Sequence, residues 1–270
     1  MEKFQRNERV AVLMKMLSDL PGKLFTLSCF TEIFSSAKST ISEDIDIVKN
    51  LLSKFGMGAI ETIPGASGGI RFIPSVSEKE TIEIVNSLCC ELSKKERILP
   101  GGYLYMLDII YNPVKVSEIG RILASRFYKS GVDYVITVET KGIPLAFMTA
   151  KFLGVPLIIA RHYNEATDGP SVNINYISGS SKKIQTMVLS LKALKKNSKI
   201  LFIDDFMKAG GTAKGIIDLT KEFDCEVCGI GVLIETEKPE RKLVDNYFSI
   251  LTLHKVNTDE GIINITPSGH

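Results

Sequence analysis

Ile200–Thr212 reads ILFIDDFMKAGGT, and this stretch decides how the chain around it folds. A run of β-branched and aromatic residues builds a buried strand, and two adjacent carboxylates, Asp204 and Asp205, stand at its carboxyl end. In open α/β sheets, ligands bind in the crevice at that end of the strands. Gly210 and Gly211 let the backbone approach an anion closely, and Thr212 opens a helix whose free N–H groups and dipole favour a phosphate. The combination asks for a sugar phosphate, because carboxylates accept hydrogen bonds from vicinal ribose hydroxyls, each adding roughly 1.5–3 kcal/mol. The plainer alternative is a strand–turn–helix connection whose acids only cap a helix. The acidic pair, the two glycines and the threonine, occurring in this order, favour the ligand site.

On both sides of this stretch, helices alternate with short apolar strands. Helix Val116 to Tyr128 leads to strand VDYVITV, helix Pro144 to Leu153 to strand PLIIAR, and strand KILFIDD to helix Thr212 to Phe223, before strand VCGIGVLI. Nearly continuous apolar strands separated by helices predict a buried parallel sheet with helices on both faces. One segment breaks the pattern: NINYISGSSKKIQTMVLS reads as two strands joined by a Ser/Gly/Lys-rich loop, suited to a movable flap.

The first 74 residues read differently. Val10, Leu13, Met14, Leu17 and Leu20 repeat at helical spacing over Arg9 to Leu20, and Pro21-Gly22 ends the run. A second helix carries Phe30, Ile33 and Phe34, and a third carries Ile41, Ile45, Val48 and Leu52, with Thr40 and Glu43 placed as a capping box at its start. After Gly56, GAIETI and GIRFIP alternate around PGASGG, the pattern of a β-hairpin. Three helices and a hairpin in this order predict a winged helix-turn-helix over residues 1–74, with a boundary at Pro74-Ser75. The second domain, 75–270, starts with a connecting helix capped by Ser77 and Glu80. Its stripe of Ile82, Val85, Cys89 and Leu92 packs on the next domain or on a partner chain.

Composition sets the outer limits. A chain of 270 residues with 44% hydrophobic content can support two packed cores, and its net charge of +2 does not announce a nucleic-acid binder, so DNA must be argued from a motif. Five cysteines, an odd number, and an N-terminus without an apolar signal stretch predict a soluble cytoplasmic protein with reduced thiols. Cys225 and Cys228 have no second pair and sit in a strand pattern, so they read as packed residues and not as a metal or redox site. No run of apolar residues is long enough to span a bilayer.

ILFIDDFMKAGGT resembles the PRPP-binding motif of type I phosphoribosyltransferases, PRPP being phosphoribosyl pyrophosphate. The resemblance implies that Asp204 and Asp205 bind ribose hydroxyls while Lys208, Ala209, Gly210, Gly211 and Thr212 hold the 5-phosphate. Ala209 departs from the family, which more often has a hydroxyl-bearing residue there, and this puts turnover in more doubt than binding. Upstream, Glu139-Thr140-Lys141-Gly142 looks like the family's pyrophosphate loop, with Thr140, Lys141 and Gly142 as anion contacts. Arg161 and His162 end the next strand; Arg161 is a phosphate candidate and His162 reads as a surface residue. YISGSSKK is similar to the loop that folds over PRPP, which makes Tyr176, Ser178, Ser180 and Lys182 candidates.

In the first domain, SAKSTISEDIDIVKNLL resembles the recognition-helix segment of winged-helix repressors and places Lys38, Ser39, Thr40 and Ser42 where side chains reach phosphates and base edges. Nine Lys plus Arg against eight Asp plus Glu leave residues 1–74 at only +1, so Glu43, Asp44 and Asp46 are expected to face away from DNA. Arg6, Arg9 and Arg71 are candidate backbone contacts. A dimerisation or docking module is the alternative use of this helix. With ERILPGGYLY at the junction, GPSVNINY, ISGSSKKIQTM and DDFMKAGGT, essentially the whole chain resembles the bacterial purine operon repressors. That resemblance implies a dimeric repressor of purine synthesis and salvage genes, induced by PRPP with Mg²⁺ on its pyrophosphate, although no protein ligand for the metal is identifiable. Two other readings stay open: an active purine phosphoribosyltransferase with an accessory N-terminal domain, and a sensor of another purine nucleotide or polyphosphate.

Overall fold

The structure, a computed structural model, describes residues 4–65, 68–165, 169–177 and 184–269. Helix α1 (Arg6–Asp19) starts earlier than its apolar periodicity, because the Gln5 N–H donates to Glu8 Oε2 at 2.7 Å and opens the first turn there. Helix α2 (Leu27–Phe34) is capped by Thr26, whose hydroxyl accepts from the Cys29 N–H, and ends at Ser35 in a left-handed conformation (φ 47°). Helix α3 (Lys38–Phe55) begins at Lys38 with Ala37 as its cap, so the expected capping box of Thr40 and Glu43 lies inside the helix. The tight turn at Ser35 returns the chain to helix sooner than side-chain capping alone would, and the Ile41 N–H already donates to Ala37 O. Strands β1 (Ala59–Ile63) and β2 (Gly69–Ile73) pair antiparallel, and Phe25 adds a further rung by exchanging hydrogen bonds of 2.8 Å with Ile70. Leu13, Phe30, Phe34, Ile41, Val48, Ile60 and Ile70 close one core over these elements.

Helix α4 (Glu78–Leu92) is capped by Ser77 Oγ, which accepts from the Glu80 N–H at 3.1 Å. Val85, Leu88 and Leu92 enter the second core, whereas Ile82 is 53% exposed, so the stripe is narrower than its spacing implied and packs on this chain's own sheet. In ERILPGGYLY, strands β3 (Ile98–Leu99) and β4 (Tyr103–Leu104) form a small hairpin. Beside it, buried Arg97 donates to Glu91, Tyr105 O and Asp108, tying α4, the hairpin and helix α5 (Leu107–Ile110) together. That hub accounts for the segment's distinctive sequence.

Helix α6 (Pro113–Phe127) starts at its proline, with Asn112 Oδ1 capping the first turn, and leads to β5 (Tyr134–Val138), α7 (Ile143–Leu153) and β6 (Leu157–Ala160). The antiparallel hairpin β7 (Ser171–Ile177) and β8 (Ile184–Ser190) follows, then β9 (Lys199–Met207), α8 (Gly211–Lys221) and β10 (Glu226–Thr236). The chain closes with β11 (Tyr247–Asn257) and β12 (Ile262–Pro267), two strands that the sequence reading did not place. The main sheet has the order β12-β11-β10-β9-β5-β6 and is parallel except for β12. Leu201 and Ile203 face the α4–α6–α7 layer, while Ile200 and Phe202 face α8 and the hairpin. Neighbouring strands β5 and β9 send the chain in opposite directions along the sheet, which makes the crevice beyond their carboxyl ends the switch point of the fold. Among the described residues, no helix is long and apolar enough to cross a membrane.

Candidate functional site

The loops after β5 and β9 face each other across that switch point. One part of the crevice is lined by Lys141, Asp204, Asp205, Lys208, Gly210 and Thr212; the adjoining part by Glu139, Thr140, His162, Tyr176 and Gln185, with Lys141, the two aspartates and Thr212 common to both. On β9, the Asp205 N–H donates to Asp204 Oδ1 at 2.9 Å. Burial, and next the charge of Asp205, hold the Asp204 carboxyl well above the usual carboxylate range. The two acids thus stand side by side at the carboxyl end of β9, both on the wall of the crevice.

Beyond them Gly210 takes a left-handed conformation (φ 78°) and caps α8, and Gly210 and Thr212 at the start of that helix line the crevice. A neighbouring segment holds this loop: Leu243 N–H donates to Ala209 O at 2.9 Å, and Thr236 Oγ1, which donates to Lys238 O at 2.7 Å, lies 3.3 Å from Lys208 O. Sequence reasoning missed both residues, since nothing local marks a chain segment as a prop for a distant loop.

Across the crevice the Glu139–Thr140 peptide is cis, and Gly142 packs so tightly that a Cβ there would come within 2.6 Å of Thr137 Oγ1 and 2.8 Å of Asp204 Oδ1. Thr137 Oγ1 is buried, with no hydrogen-bond partner among the described residues. His162, expected at the surface, lines the crevice instead: its N–H donates to Glu139 Oε1 at 2.7 Å and its Nδ1 lies 3.1 Å from Thr186 O. Arg161 is not among the lining residues; its guanidinium pairs with Glu165 at 3.1 Å and its backbone bonds to Val188. Tyr176 belongs to the wall and not to a free flap, being 8% exposed, donating to Gln185 Oε1 at 2.7 Å beside Thr212, and with its phenol pushed up by burial. Ser178, Ser180 and Lys182 lie outside the described residues.

In the first domain the start of α2, one side of α3 and the hairpin form a groove lined by Thr26, Ser28, Lys38, Ser42, Thr62 and Gly65. Lys38, Ser39 and Ser42 are exposed, and Thr40 is half-buried. Asp46, expected to face away, also lines the groove. Arg6 is exposed and paired with Glu43 at 2.8 Å. Arg9 is a correction: it is buried, its Nε donates to Asp44 Oδ2 at 2.6 Å and its Nη1 to Phe4 O, so it is spent inside the fold. Arg71 is half-buried, with its Nε on Glu61 at 2.5 Å and its Nη2 donating to Tyr128 OH at 3.1 Å, at the seam with the larger domain.

A three-helix and hairpin module with Lys38 exposed at the start of α3, joined to a mostly parallel α/β sheet with a loop-lined crevice at its switch point, has the architecture of a DNA-binding regulator with a second, larger domain. Residues 5–74 match the family described as bacterial purine repressor, N-terminal, and residues 107–264 match the phosphoribosyl transferase domain. The purine biosynthesis transcriptional repressor PurR of Bacillus subtilis (strain 168) is 47% identical over 263 residues, covering 97% of this chain and 92% of the relative. The purine biosynthesis transcriptional activator PurR of Lactococcus lactis subsp. lactis (strain IL1403) is 37% identical, covering 97% and 96%. Among solved structures, adenine phosphoribosyltransferase from Saccharomyces cerevisiae shares the fold, with a TM-score of 0.55 and 17% identity over 62% of this chain and 98% of that one. The chain belongs to the bacterial purine repressor family.

Proposed function

We propose that this protein is a cytoplasmic, homodimeric repressor of purine synthesis and salvage genes, which binds operator DNA with residues 1–74 and releases it when PRPP enters the crevice of residues 75–270. The observation that carries the reading is one chain holding both the winged-helix groove and a switch-point crevice where paired acids face a phosphate cradle. In this reading Lys38, Ser39, Thr40 and Ser42 meet DNA. Asp204 and Asp205 take the ribose hydroxyls, Ala209–Thr212 the 5-phosphate, and Thr140–Gly142 the pyrophosphate. The higher identity to the relative named a repressor than to the one named an activator favours repression.

Mg²⁺ would enter with the ligand, carried on its pyrophosphate, where it would offset the negative charge; among the described residues no group of three or more His, Cys, Asp or Glu is placed to hold a metal. The crevice serves sensing and not turnover: the relatives that match the whole chain are named regulators, and Ala209 supplies no hydroxyl at the cradle. Incubation with PRPP, Mg²⁺ and each common purine base is expected to yield no nucleotide; a rate of about 1 s⁻¹ restores the transferase reading.

The deciding experiment measures binding to a purine-operon promoter duplex, with and without PRPP and Mg²⁺, for the parent and for the double variant Asp204→Asn, Asp205→Asn. The parent is expected to bind and to release. The variant is expected to bind equally and to release poorly, its PRPP affinity lowered more than about a hundredfold if roughly 3–6 kcal/mol is lost. A variant that releases at the parent's PRPP concentration shows that the sensor lies elsewhere.

A further inference from the structure

The two domains meet at an unusually direct contact. Helix α7 starts at the pyrophosphate-type loop, where Gly142 packs against Thr137 and Asp204, and ends at Gly154, which is left-handed (φ 71°). A Cβ on Gly154 would come within 2.6 Å of Pro21 O and 2.8 Å of Gly22 Cα; a Cβ on Gly22 would in turn collide with Leu153 O. The end of α7 therefore touches the turn after α1 backbone to backbone, with no flexible side chain between them. Gly22 passes the contact on, its N–H donating to Phe72 O on β2 at 2.9 Å.

A second contact lies one residue away on the same strand. Arg71 lies over the Tyr128 ring, 5.5 Å from its centroid, and donates to the Tyr128 hydroxyl, which itself donates to Glu61 Oε2 at 2.5 Å. The Tyr128 hydroxyl and then Arg71 hold the Glu61 carboxyl below its usual range, which favours a carboxylate facing both donors. Tyr128 follows the end of α6, and α6 is locked to α7: a Cβ on Gly120 would lie 2.7 Å from Met148 Cβ and 3.1 Å from backbone atoms of Met148 and Thr149. Two close-packed helices thus carry both supports of β2.

We infer that α6 and α7 form the coupling element between effector and DNA, with Gly22–Gly154 and Glu61–Arg71–Tyr128 as its two points of attachment to the winged helix. The inference rests on the sensing reading above and adds how occupancy reaches the DNA-binding surface. Helix α7 has 11 residues and so spans about 16 Å as one rigid unit. An anion seated on Thr140–Gly142 moves that loop against Thr137 and Asp204, where there is no slack, and the far end of the helix must follow. Because β2 is one strand of the hairpin that walls the DNA groove, a shift at Gly22 and Arg71 changes the hairpin's position against α3. Effector and DNA then bias one shared two-state contact, the physical requirement for coupling.

Tyr128→Phe keeps the ring under Arg71 and removes the hydroxyl that joins the two partners; Arg71→Lys keeps a cation but loses the fork. Neither residue lines the crevice or the groove. In the parent, PRPP with Mg²⁺ is expected to alter amide exchange at residues 139–142 and 204–212 and also at 20–25 and 69–73. In both variants the first pair of segments still responds and the second pair no longer does. Affinity for the promoter duplex without PRPP, and for PRPP without DNA, stays within about twofold of the parent, while the PRPP concentration for half-release rises about tenfold or more. Release at the parent's concentration overturns the assignment, as does loss of DNA affinity in Arg71→Lys, which would mark a phosphate contact. A parent in which PRPP protects the crevice but leaves 20–25 and 69–73 unchanged also overturns it. No protection at 204–212 in the parent removes the sensing reading itself, and this coupling with it.

Discussion

The Nε of Arg9 lies 2.6 Å from Oδ2 of Asp44, and the two side chains, 35 positions apart in sequence, are buried together between α1 and α3. The hydrogen bond to Asp44 raises the Arg9 pKa against the opposing effect of burial. Removing one member of a buried pair leaves an uncompensated charge and costs about 3–5 kcal/mol. Arg9→Met is therefore expected to give the winged helix an early thermal transition of its own. A variant that melts like the parent yet binds DNA more weakly would put Arg9 on the DNA after all.

Lys38 opens α3 at the edge of the groove, exposed to solvent. Lys38→Ala is expected to weaken duplex binding and to reduce the slope of log affinity against log salt by about 0.9, as loss of one phosphate contact does. Undiminished operator affinity in a fragment lacking residues 1–74 would remove the DNA assignment from this domain.

Burial and the Asp205 charge raise the Asp204 pKa in the folded protein above its unfolded value. The carboxyl's stabilising contribution is accordingly full below the unfolded value and is lost as pH rises through the folded one. Without effector, Asp204→Asn is expected to melt above the parent at neutral pH, with the difference disappearing in strong acid. Melting curves across that range check the sign, and a variant less stable than the parent at neutral pH contradicts it.

Gly142→Ala places a methyl group against Thr137 Oγ1 and Asp204 Oδ1. The overpacking is expected to cost about 1–3 kcal/mol of stability, and the displaced loop to lose PRPP binding. Binding to the promoter duplex without PRPP should persist. Calorimetric titration with PRPP and Mg²⁺ that returns the parent's affinity would show that the loop does not touch the ligand.

The sequence by itself determined whatever is contiguous. ILFIDDFMKAGGT carries its strand, acids, loop and helix start in one segment, so that strand–loop–helix unit was legible without the fold. Helical periodicity and the PGASGG turn likewise marked the winged helix, because the face that must be buried repeats at the period of the element. Local signals misled where they stood alone: Thr40 and Glu43 have the spacing of a cap, but α3 had already started at Lys38, behind Ala37.

Only the tertiary structure decided which carboxylate each candidate arginine meets. Arg9, Arg71 and Arg161 looked like phosphate contacts, and each is paired with a carboxylate, Asp44, Glu61 or Glu165. The first two partners are set by packing between separate elements, and the i,i+4 spacing that links Arg161 to Glu165 lies past the end of its strand. His162 moved the other way, from surface to crevice wall, because β8 lies beside it and Glu139 accepts its N–H. Strand order was equally invisible, since hydrophobic alternation marks a strand without naming its neighbour. The placing of β5 beside β9 is what sets Lys141 and Gly142 against Asp204. Residue types and spacing record local conformational preference, while charge pairing and sheet order follow from contacts across the chain that exist only after it has folded.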